Sequence, residues 1–468
     1  MFRKEFQNLF IKNKNKKFII DTFNKKKTSF NEFFNNSIRI SNYLLEKENL
    51  RRGDKIILKI EHSALFYEII IACAIIGVIV CPVSQSINSF KLKKIKELVK
   101  SKLVINSKNQ IYYSTNSELT KNFNKFDYHQ EFLIIFSSGT TSGEPKGIVH
   151  SLGNVINSAK SFSKLANFKK NDVFFAFWPQ HHMTGIFNLF FVPLVLGSTI
   201  VFRHEFKAFL LKDIFLSTKK FGVTQLYLSP TMCSTALNFK SDLLKNFKFT
   251  KKINIISTAN ILYPSIFKNF LKIFNKKIKR CYGLTELGGS LTINLSSSDK
   301  ADFCVGKFSG DIRVKCKGTI KRPSEIFIKS KYIMDRCINY NYKKDEYYKT
   351  GDIGYLHNQK LFILGRTGDN IKKGGEFISV TEIENLVLSI NGIKNSMAVP
   401  VKDEFYGFRI KLFVEIEDGF KEIDMMNKMN LIFDKFLTKN EIPDDIIFKK
   451  NIKKTSTGKN IKYLYSNL

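Results

Sequence analysis

The 468-residue chain is longer than one hydrophobic core usually serves, so its length predicts two or three domains. Hydrophobic residues make up 43% of the sequence and aromatic residues 13%, with only 9 prolines and 25 glycines, and this composition excludes an intrinsically disordered chain. The 76 basic and 41 acidic residues give a formal net charge of +35, which taken alone suggests a nucleic-acid-binding protein.

The distribution of the positive charge argues against that interpretation. Lysines are scattered from Lys4 to Lys462 among abundant Asn, Ile and Phe, and they form neither an Arg-rich stripe nor one dense basic tail. Such a spread is typical of solvated surface in a sequence whose coding is biased toward A and T bases. We therefore expect attraction of anionic ligands at low salt, and no DNA or RNA partner.

The cysteines and the first residues indicate a cytoplasmic protein. The seven cysteines form an odd set without a Cys-x-x-Cys pair and lie mostly in apolar segments, which favours buried free thiols over disulfides or a zinc site. The N-terminal residues lack the apolar core of a signal peptide. The longest uncharged apolar run, Ile69 to Pro82, is shorter than the about 20 residues that a membrane-spanning helix needs.

In chain order, the pattern alternates helices with short apolar strands. Ser29-Phe30-Asn31-Glu32 has the spacing of a capping box and predicts the start of a helix, and Arg52-Gly53-Asp54 predicts a turn. Further predicted elements are a helix at 65–76 and strands at 55–60, 78–83, 103–105, 132–136, 173–177, 199–202, 223–228, 253–256, 353–356 and 360–364. Apolar strands that alternate with helices predict parallel α/β sheets. The polar stretch 365–370 predicts a domain boundary.

The first chemically informative segment follows the strand at 132–136. It reads Ser137-Ser138-Gly139-Thr140-Thr141-Ser142-Gly143-Glu144-Pro145-Lys146-Gly147. Glycines let a backbone wrap closely around an anion, hydroxyl and N–H groups donate to phosphate oxygens, and Lys146 adds a mobile positive charge. The spacing matches neither the Walker A nor the GxGxxG pattern. By itself the segment is equally compatible with a flexible surface loop.

Four later features carry complementary chemistry. Tyr282-Gly283-Leu284-Thr285-Glu286 offers an aromatic ring for a base, a hydroxyl for phosphate and a carboxylate for Mg²⁺, or alternatively a core tyrosine beside a solvated glutamate. Asp352, after Thr350-Gly351, can accept both hydroxyls of a ribose or cap a turn. Arg366 can neutralise phosphate or form a surface ion pair. Lys459 lies on a hydroxyl-rich turn or in a solvated basic tail.

The order and spacing of these motifs resemble the adenylate-forming superfamily of acyl-CoA synthetases, nonribosomal peptide synthetase adenylation domains and beetle luciferases. The resemblance extends from about Phe30 to Tyr463. It implies an α/β fold with a large N-terminal domain (1–365) of stacked doubly wound sheets plus a small barrel, and a small mobile α+β C-terminal domain (366–468). It also implies ATP-dependent conversion of a carboxylic acid to an acyl-adenylate, followed by transfer to the thiol of coenzyme A.

The resemblance implies roles for the motif residues. Tyr282 and Gly283 match the adenine site, Thr285 the α-phosphate contact and Glu286 the Mg²⁺ ligand. Asp352 matches the ribose-binding residue, with Arg366 close by. The loop matches the positions that hold the β- and γ-phosphates, namely Ser137, Ser138, Gly139, Thr140, Thr141, Ser142, Gly143 and Lys146.

Lys459 matches the catalytic lysine, whose point charge would bridge the substrate carboxylate and the α-phosphate. Asp369 matches the hinge about which the C-terminal domain swings after adenylation, which would withdraw Lys459 and bring the loop 373–376, including Gly375, toward the thiol channel. His182 matches the histidine beside the acyl pocket. The adjacent His181 and His182 lack a third ligand at a suitable spacing, so we expect no zinc.

Substrate and acceptor are less constrained. No Asp occurs in 174–185 to pair with an ammonium group, which argues against an amino acid, and the mixture of aromatic and small residues suits a fatty or aryl acid. The acceptor is coenzyme A or the phosphopantetheine thiol of an acyl carrier protein. The alternative from another class is a catalytically silent relative that binds nucleic acid. The chain departs from the family pattern at Ser142-Gly143-Glu144, one residue longer than usual, and at Lys453, where proline is frequent.

Overall fold

The computed structural model describes residues 2–87, 89–118, 127–137, 146–238, 247–296, 303–338, 346–367, 370–373, 376–403, 407–455 and 458–465. We refer to the part up to Arg366 as the N-terminal lobe and to the part from Asn370 as the C-terminal lobe. The α-helices are α1 Phe2–Ile11, α2 Phe30–Glu46, α3 Ala64–Ile76, α4 Ser89–Val99, α5 Leu152–Leu165, α6 Val192–Leu196, α7 Leu211–Lys220, α8 Pro230–Asn238, α9 Pro264–Phe274, α10 Val380–Leu388 and α11 Glu422–Phe436. A π-helix spans Thr184–Phe191, and 3₁₀ turns span Lys108–Gln110, Ala208–Leu210, Thr285–Leu287 and Lys462–Leu464.

The strands form four sheets among the described residues. They are β1 Lys17–Asp21, β2 Lys26–Ser29, β3 Lys55–Leu58, β4 Ile79–Pro82, β5 Leu103–Ile105, β6 Glu131–Ser137, β7 Lys146–Ser151, β8 Val173–Ala176, β9 Thr199–Phe202, β10 Gln225–Leu228, β11 Asn254–Ser257, β12 Ile278–Leu284, β13 Gly289–Ile293, β14 Cys304–Phe308, β15 Ile312–Lys315, β16 Ser324–Ser330, β17 Arg336–Ile338, β18 Tyr348–His357, β19 Lys360–Arg366, β20 Asn370–Lys373, β21 Glu376–Ser379, β22 Ile393–Asp403, β23 Gly407–Ile416 and β24 Asp445–Phe448.

The N-terminal lobe contains the two larger sheets. One has six strands in the order β17-β7-β6-β4-β3-β5, and the other has thirteen in the order β15-β16-β18-β19-β14-β13-β12-β11-β10-β8-β9-β1-β2. The run from β12 to β1 in the larger sheet is parallel, whereas β13 and the strands beyond it pair antiparallel. The predicted α/β class is therefore confirmed.

The capping box predicted at the start of the first long helix is present. The Ser29 hydroxyl accepts from the Glu32 amide at 3.1 Å, and the Ser29 amide donates to the Glu32 carboxylate at 2.6 Å. Both bonds satisfy amide groups that the first turn of α2 leaves without helical partners. The predicted strands also occur, with ends that differ by up to two residues, except that β18 begins five residues before the predicted strand at 353–356.

Phenylalanine side chains fill much of the N-terminal core. Phe18 stacks on Phe30 with ring centroids 4.2 Å apart, and Tyr67 stacks on Phe190 at 4.3 Å. Burying one such ring contributes about 1.5–3 kcal/mol, so the abundance of Phe that marks the composition also stabilises the fold.

All seven cysteines are free thiols, and only Cys316 is partly exposed, as predicted.

The C-terminal lobe has a hydrophobic core of its own. Residues of β20–β23 pack with α10 and α11, and Ile378, Leu412, Met425 and Phe433 are buried in this cluster. β19, the last strand of the N-terminal lobe, ends at Arg366, so the proposed boundary between residues 365 and 366 falls at its end and stays a prediction. Among the described helices, none is long and apolar enough to cross a bilayer.

Replacing the capping serine tests the start of α2. Ser29→Ala removes the hydroxyl that accepts from the Glu32 amide, so we expect the free energy of unfolding to fall by about 1 kcal/mol. Urea denaturation measures the change. Asn31→Ala, at an exposed position in the first turn of the same helix, is the control and should have a smaller effect. Equal losses in both variants would contradict a specific capping role.

A buried histidine predicts acid sensitivity. His62 donates from Nε2 to the Arg203 carbonyl oxygen at 2.8 Å and stacks on Phe202, and burial lowers its pKa from 6.5 to about 4. In the unfolded chain the His62 imidazole becomes protonated near pH 6.5, whereas in the folded chain it becomes protonated only near pH 4. The contribution of neutral His62 to the free energy of unfolding is therefore fully present above pH 6.5. It decreases as the pH falls, and the loss is on the order of 3 kcal/mol near pH 4.

The measurement is chemical denaturation at a series of pH values between 7.5 and about 4.5. His62→Gln keeps an N–H donor without a titrating ring, so its unfolding free energy should change less with pH than that of the wild type. His129→Gln, at an exposed position, is the control. Parallel pH curves for His62→Gln and the wild type would rule out this contribution.

Candidate functional site

A cavity of about 1520 Å³ lies between the two lobes and is lined by residues of both. The carboxyl ends of the parallel strands β10, β11 and β12 open into it, which is where α/β sheets bind ligands. Among the residues that line the cavity are the predicted site residues Lys146, His182, Tyr282, Gly283, Thr285, Glu286, Asp352, Arg366 and Lys459.

The remaining predicted residues are described only in part or not at all. Ser137 ends β6, where its backbone pairs with that of Lys146 in β7. The other predicted loop residues, the predicted hinge and the predicted thiol-channel glycine lie outside the described residues, namely Ser138, Gly139, Thr140, Thr141, Ser142, Gly143, Asp369 and Gly375.

Asp352 is the centre of a hydrogen-bonded group on one wall of the cleft. Its Oδ2 accepts from the Tyr282 hydroxyl at 2.6 Å, and its Oδ1 accepts from Arg366 Nε at 2.9 Å. Asp352 and Arg366 are directly opposite in the β18–β19 ladder, which explains why residues fourteen positions apart meet. Burial and the Asp352 charge raise the pKa of Tyr282 well above its usual value, so its hydroxyl stays a donor.

Arg366 carries a secure positive charge. Burial disfavours the guanidinium, but the charges of Asp352 and Glu286 help to raise its pKa above the usual value. Nη2 also donates to the Thr350 carbonyl oxygen at 3.4 Å. The pair with Asp352 involves a carboxylate whose side chain is only 8% exposed, so it is not the loosely solvated surface bridge considered from sequence.

Thr285 and Glu286 begin a 3₁₀ turn directly after β12. The turn is held from outside, because the Thr285 carbonyl oxygen lies 2.7 Å from His150 Nε2 and the Glu286 carbonyl oxygen accepts from the Met334 amide at 2.8 Å. With its backbone fixed in this way, the turn presents both side chains to the cavity.

The Glu286 carboxylate is a suitable Mg²⁺ ligand. Among the described residues no group of three or more His, Cys, Asp and Glu side chains could hold a metal ion. Mg²⁺ is commonly held by one or two carboxylates together with substrate phosphates and water, so a single carboxylate beside a phosphate-binding cleft fits an ion that arrives with its nucleotide.

Lys459 reaches the same cleft from the C-terminal lobe. Burial lowers the pKa of its ammonium group and the Arg366 charge lowers it further, whereas Asp352 and Glu286 raise it. The structure thus brings the lysine near the end of the chain within electrostatic range of the three charged residues predicted to surround a nucleotide.

His182 also lines the cavity, just before the π-helix Thr184–Phe191. Such helices often occur at functional sites because the extra residue redirects neighbouring side chains. The backbone packs tightly here, since a Cβ on Gly185 would lie 2.3 Å from the Pro179 carbonyl oxygen. Burial is the main reason that the pKa of His182 falls to about 3, and the Lys459 charge contributes. The ring is therefore neutral at physiological pH.

Two hydrogen bonds of the cleft were not predicted from sequence. Thr231 in α8 donates to the Gly458 carbonyl oxygen at 2.8 Å, and Tyr263 donates to Glu384 Oε2 in α10 at 2.8 Å. Both bonds join the two lobes. Their partners are 227 and 121 residues apart, so no local sequence pattern pairs them.

Comparison with known proteins agrees with the geometry. Residues 9–335 match the AMP-binding enzyme family. The chain is 23% identical to the acetyl-coenzyme A synthetase of Bacillus subtilis, over 96% of this chain and 86% of that protein. It is 26% identical to the 2-succinylbenzoate–CoA ligase of Staphylococcus epidermidis, over 72% of this chain and 69% of the relative.

Its fold is similar to that of the crystal structure of ATP-bound MatB from Rhodopseudomonas palustris, with a TM-score of 0.82, 19% identity and coverage of 98% of both chains. The resemblance inferred from the sequence is confirmed, as are the predictions of an AMP-forming acid–thiol ligase and of its cofactors, ATP with Mg²⁺ and coenzyme A. The family match covers well over half of the chain, which therefore belongs to the AMP-binding enzymes.

Proposed function

We propose that this enzyme converts a short-chain carboxylic acid to its coenzyme A thioester in two steps. In the first, a carboxylate oxygen attacks the α-phosphorus of ATP, the bond to pyrophosphate breaks, and an acyl-adenylate forms. In the second, the thiol sulfur of coenzyme A attacks the acyl carbon and AMP leaves. The observation that carries the proposal is the position of Lys459, which enters the same cleft as Tyr282, Asp352 and Arg366.

Asp352 is suited to hold a ribose. An ionised carboxylate has about four lone-pair directions, and Tyr282 and Arg366 occupy two of them. Two therefore remain for the adjacent hydroxyls of a ribose. The same two donors hold the carboxylate in one orientation, so little side-chain entropy is lost when the sugar binds.

The cations of the cleft suit the reaction at phosphorus. Negative charge increases on the oxygens around the α-phosphorus in the transition state, and a fixed ammonium group there stabilises the transition state more than the ground state. Lys459 supplies that charge from the C-terminal lobe. Thr285 offers a hydroxyl donor, and neutral His182 shapes the place of the attacking carboxylate without adding charge. Glu286 would hold Mg²⁺, which neutralises phosphate charge when bound.

The acyl side of the cleft favours a short acid. Ser290 and Asn188 are buried and hydrogen-bonded to each other at 2.8 Å, and the hydroxyl of buried Ser257 lies nearby among the lining residues. Phe187 packs directly on Gly289, where a Cβ would lie only 2.7 Å from its ring. Polar groups and this contact limit the room for a long apolar chain. The relative named for acetate adds support.

The fatty or aryl acid expected from sequence remains the second candidate, because aromatic side chains surround the same region. Coenzyme A is the favoured acceptor, since the relatives are named for it. A carrier-protein thiol would use the same adenylation chemistry. A catalytically silent nucleic-acid-binding protein would not need Lys459 in a nucleotide-sized cleft.

ATP–pyrophosphate exchange tests the proposal directly. With a panel that contains short monocarboxylic and dicarboxylic, aryl and long-chain fatty acids, we expect exchange above background with the short acids, and a coenzyme A thioester visible by mass spectrometry. Preference for a fatty or aryl acid would refute the short-acid preference but not the adenylation activity. No exchange with any acid, together with strongly salt-dependent binding of DNA or RNA, would refute the enzyme.

Replacing the cleft lysine should separate the two half-reactions. Lys459→Ala removes the charge beside the α-phosphate, so acyl-adenylate formation should fall by roughly 10²–10³-fold, whereas thioester formation from a supplied acyl-adenylate should be largely retained. Both rates are measured in single-turnover assays. Lys453→Ala, at an exposed lysine of the same segment, is the control. An equal loss in both half-reactions of folded Lys459→Ala would contradict the proposed alternation of the C-terminal lobe.

The ribose role of Asp352 predicts a nucleotide-specific defect. Asp352→Asn removes the charge that pairs with Arg366 and weakens acceptance from a ribose, so the KM for ATP should rise about tenfold or more while the KM for the acid changes little. Steady-state kinetics and AMP-binding calorimetry measure the effect. Asp403→Asn breaks a comparable Asp–Arg pair with Arg409 in the C-terminal lobe and should leave both constants unchanged.

A further inference from the structure

Lys459 is held to Thr455 by backbone and side-chain hydrogen bonds. The Thr455 amide donates to the Lys459 carbonyl oxygen at 2.8 Å, and the Lys459 amide donates to Thr455 Oγ1 at 3.1 Å. Gly458 has a φ of +83°, a conformation that favours glycine. The position of the Lys459 side chain in the cleft therefore depends on where this turn as a whole is placed.

Thr231 places that turn against the N-terminal lobe. Its hydroxyl donates to the Gly458 carbonyl oxygen at 2.8 Å, and this carbonyl belongs to the peptide group that links Gly458 to Lys459. The contact is close, since a Cβ on Gly458 would lie 2.6 Å from Thr231 Oγ1. Thr231 is the second residue of α8, whose backbone is fixed by its own helix. One hydroxyl of the N-terminal lobe thus holds the backbone directly before the lysine.

Tyr263 forms a second contact of the same kind. It donates to Glu384 Oε2 at 2.8 Å, and Glu384 is a rigid acceptor because Oε1 accepts from the Ala398 amide and from Lys462 Nζ, both at 2.9 Å. Glu384 is only 6% exposed. The acceptor is therefore held within the C-terminal lobe, while the donor belongs to the N-terminal lobe.

Both hydrogen bonds stabilise only the lobe orientation that puts Lys459 in the cleft. A rotation of the C-terminal lobe that withdraws Lys459 must separate Thr231 from Gly458 and Tyr263 from Glu384, because each pair spans the two lobes. An interaction present in one of two states shifts the balance between them by its own free energy. Neither hydroxyl needs to contact a substrate to act in this way.

We propose that Thr231 and Tyr263 are positioning residues for the first half-reaction, which hold the C-terminal lobe in the orientation that delivers Lys459. This inference rests on the proposed function, in which only the first half-reaction uses Lys459. Loss of one hydroxyl should therefore slow acyl-adenylate formation without slowing thioester formation from a supplied adenylate.

Thr231→Val tests the proposal with little change in shape. We expect the single-turnover rate of acyl-adenylate formation to fall about tenfold, with the rate of thioester formation from supplied acyl-adenylate unchanged or increased. Thr231→Ser restores a donor and should restore most of the first rate. Thr235→Val is the matched control on α8, because the Thr235 hydroxyl donates at 2.9 Å to the Thr231 carbonyl oxygen within the helix and does not reach the C-terminal lobe. Tyr263→Phe should change the two rates in the same direction as Thr231→Val.

Hydrogen exchange provides a readout that needs no substrate. Peptides that cover 449–465 should exchange faster in Thr231→Val than in the wild type, Thr231→Ser or Thr235→Val, because the turn spends more time away from the N-terminal lobe. Unchanged exchange, or equal slowing of both half-reactions by Thr231→Val, would overturn the inference. If the wild type forms no adenylate with any acid, the proposed function fails, and the exchange data still decide whether these hydroxyls hold the lobe.

Discussion

The structure depends on one unfavourable placement, the insertion of a lysine charge into a cleft between two lobes. Burial and the nearby Arg366 guanidinium both disfavour the Lys459 ammonium group, and the carboxylates of Asp352 and Glu286 oppose them only in part. A cation kept in such surroundings has lost hydration that two carboxylates do not fully replace. The arrangement is therefore best suited to a cleft that receives further negative charge, as a nucleoside triphosphate would bring.

The construction of the lobes is compatible with the proposed withdrawal of Lys459. The C-terminal lobe has a hydrophobic core separate from the main core of the N-terminal lobe, so neither core must be opened when the lobes change orientation. Side-chain hydrogen bonds from Thr231 and Tyr263 join the lobes beside the cleft. Each contributes far less than a buried hydrophobic core does, and each breaks without exposing apolar surface. Polar contacts between self-contained lobes are typical of domains that move relative to each other.

The parts of this architecture that could be predicted from the sequence are those encoded locally. The Ser29–Glu32 spacing specifies a helix start because both hydrogen bonds close within one turn, and apolar runs specify buried strands because each residue contributes independently to the pattern. The motif residues that line the cavity could also be predicted to lie together, since the resemblance supplied long-range information that no local pattern contains. The hydrogen bond from Tyr282 to Asp352 could be identified only in the structure, because it joins positions 70 residues apart.

What could not be predicted follows from the same distinction. Thr231, Tyr263 and Glu384 occupy ordinary helical or loop positions, and their importance arises only when two lobes face each other. The net charge of +35 was equally uninformative, because a scattered lysine excess does not distinguish Lys453, which is exposed, from Lys459, which lines the cleft. Position in the fold, and not residue type, separates a solvated lysine from a functional one.

The buried charge also links nucleotide binding to the lobe arrangement. Phosphate groups in the cleft would favour the protonated form of Lys459 and so offset the effects that now lower its pKa. Because the lysine belongs to the C-terminal lobe and the ribose-binding carboxylate to the N-terminal lobe, that gain is available only when the lobes are together. A nucleotide triphosphate thereby stabilises the orientation in which Lys459 can act. Loss of pyrophosphate removes most of the negative charge and with it much of this stabilisation. In the proposed reaction, the departure of pyrophosphate would therefore favour the withdrawal of Lys459, and electrostatics would set the order of the two half-reactions.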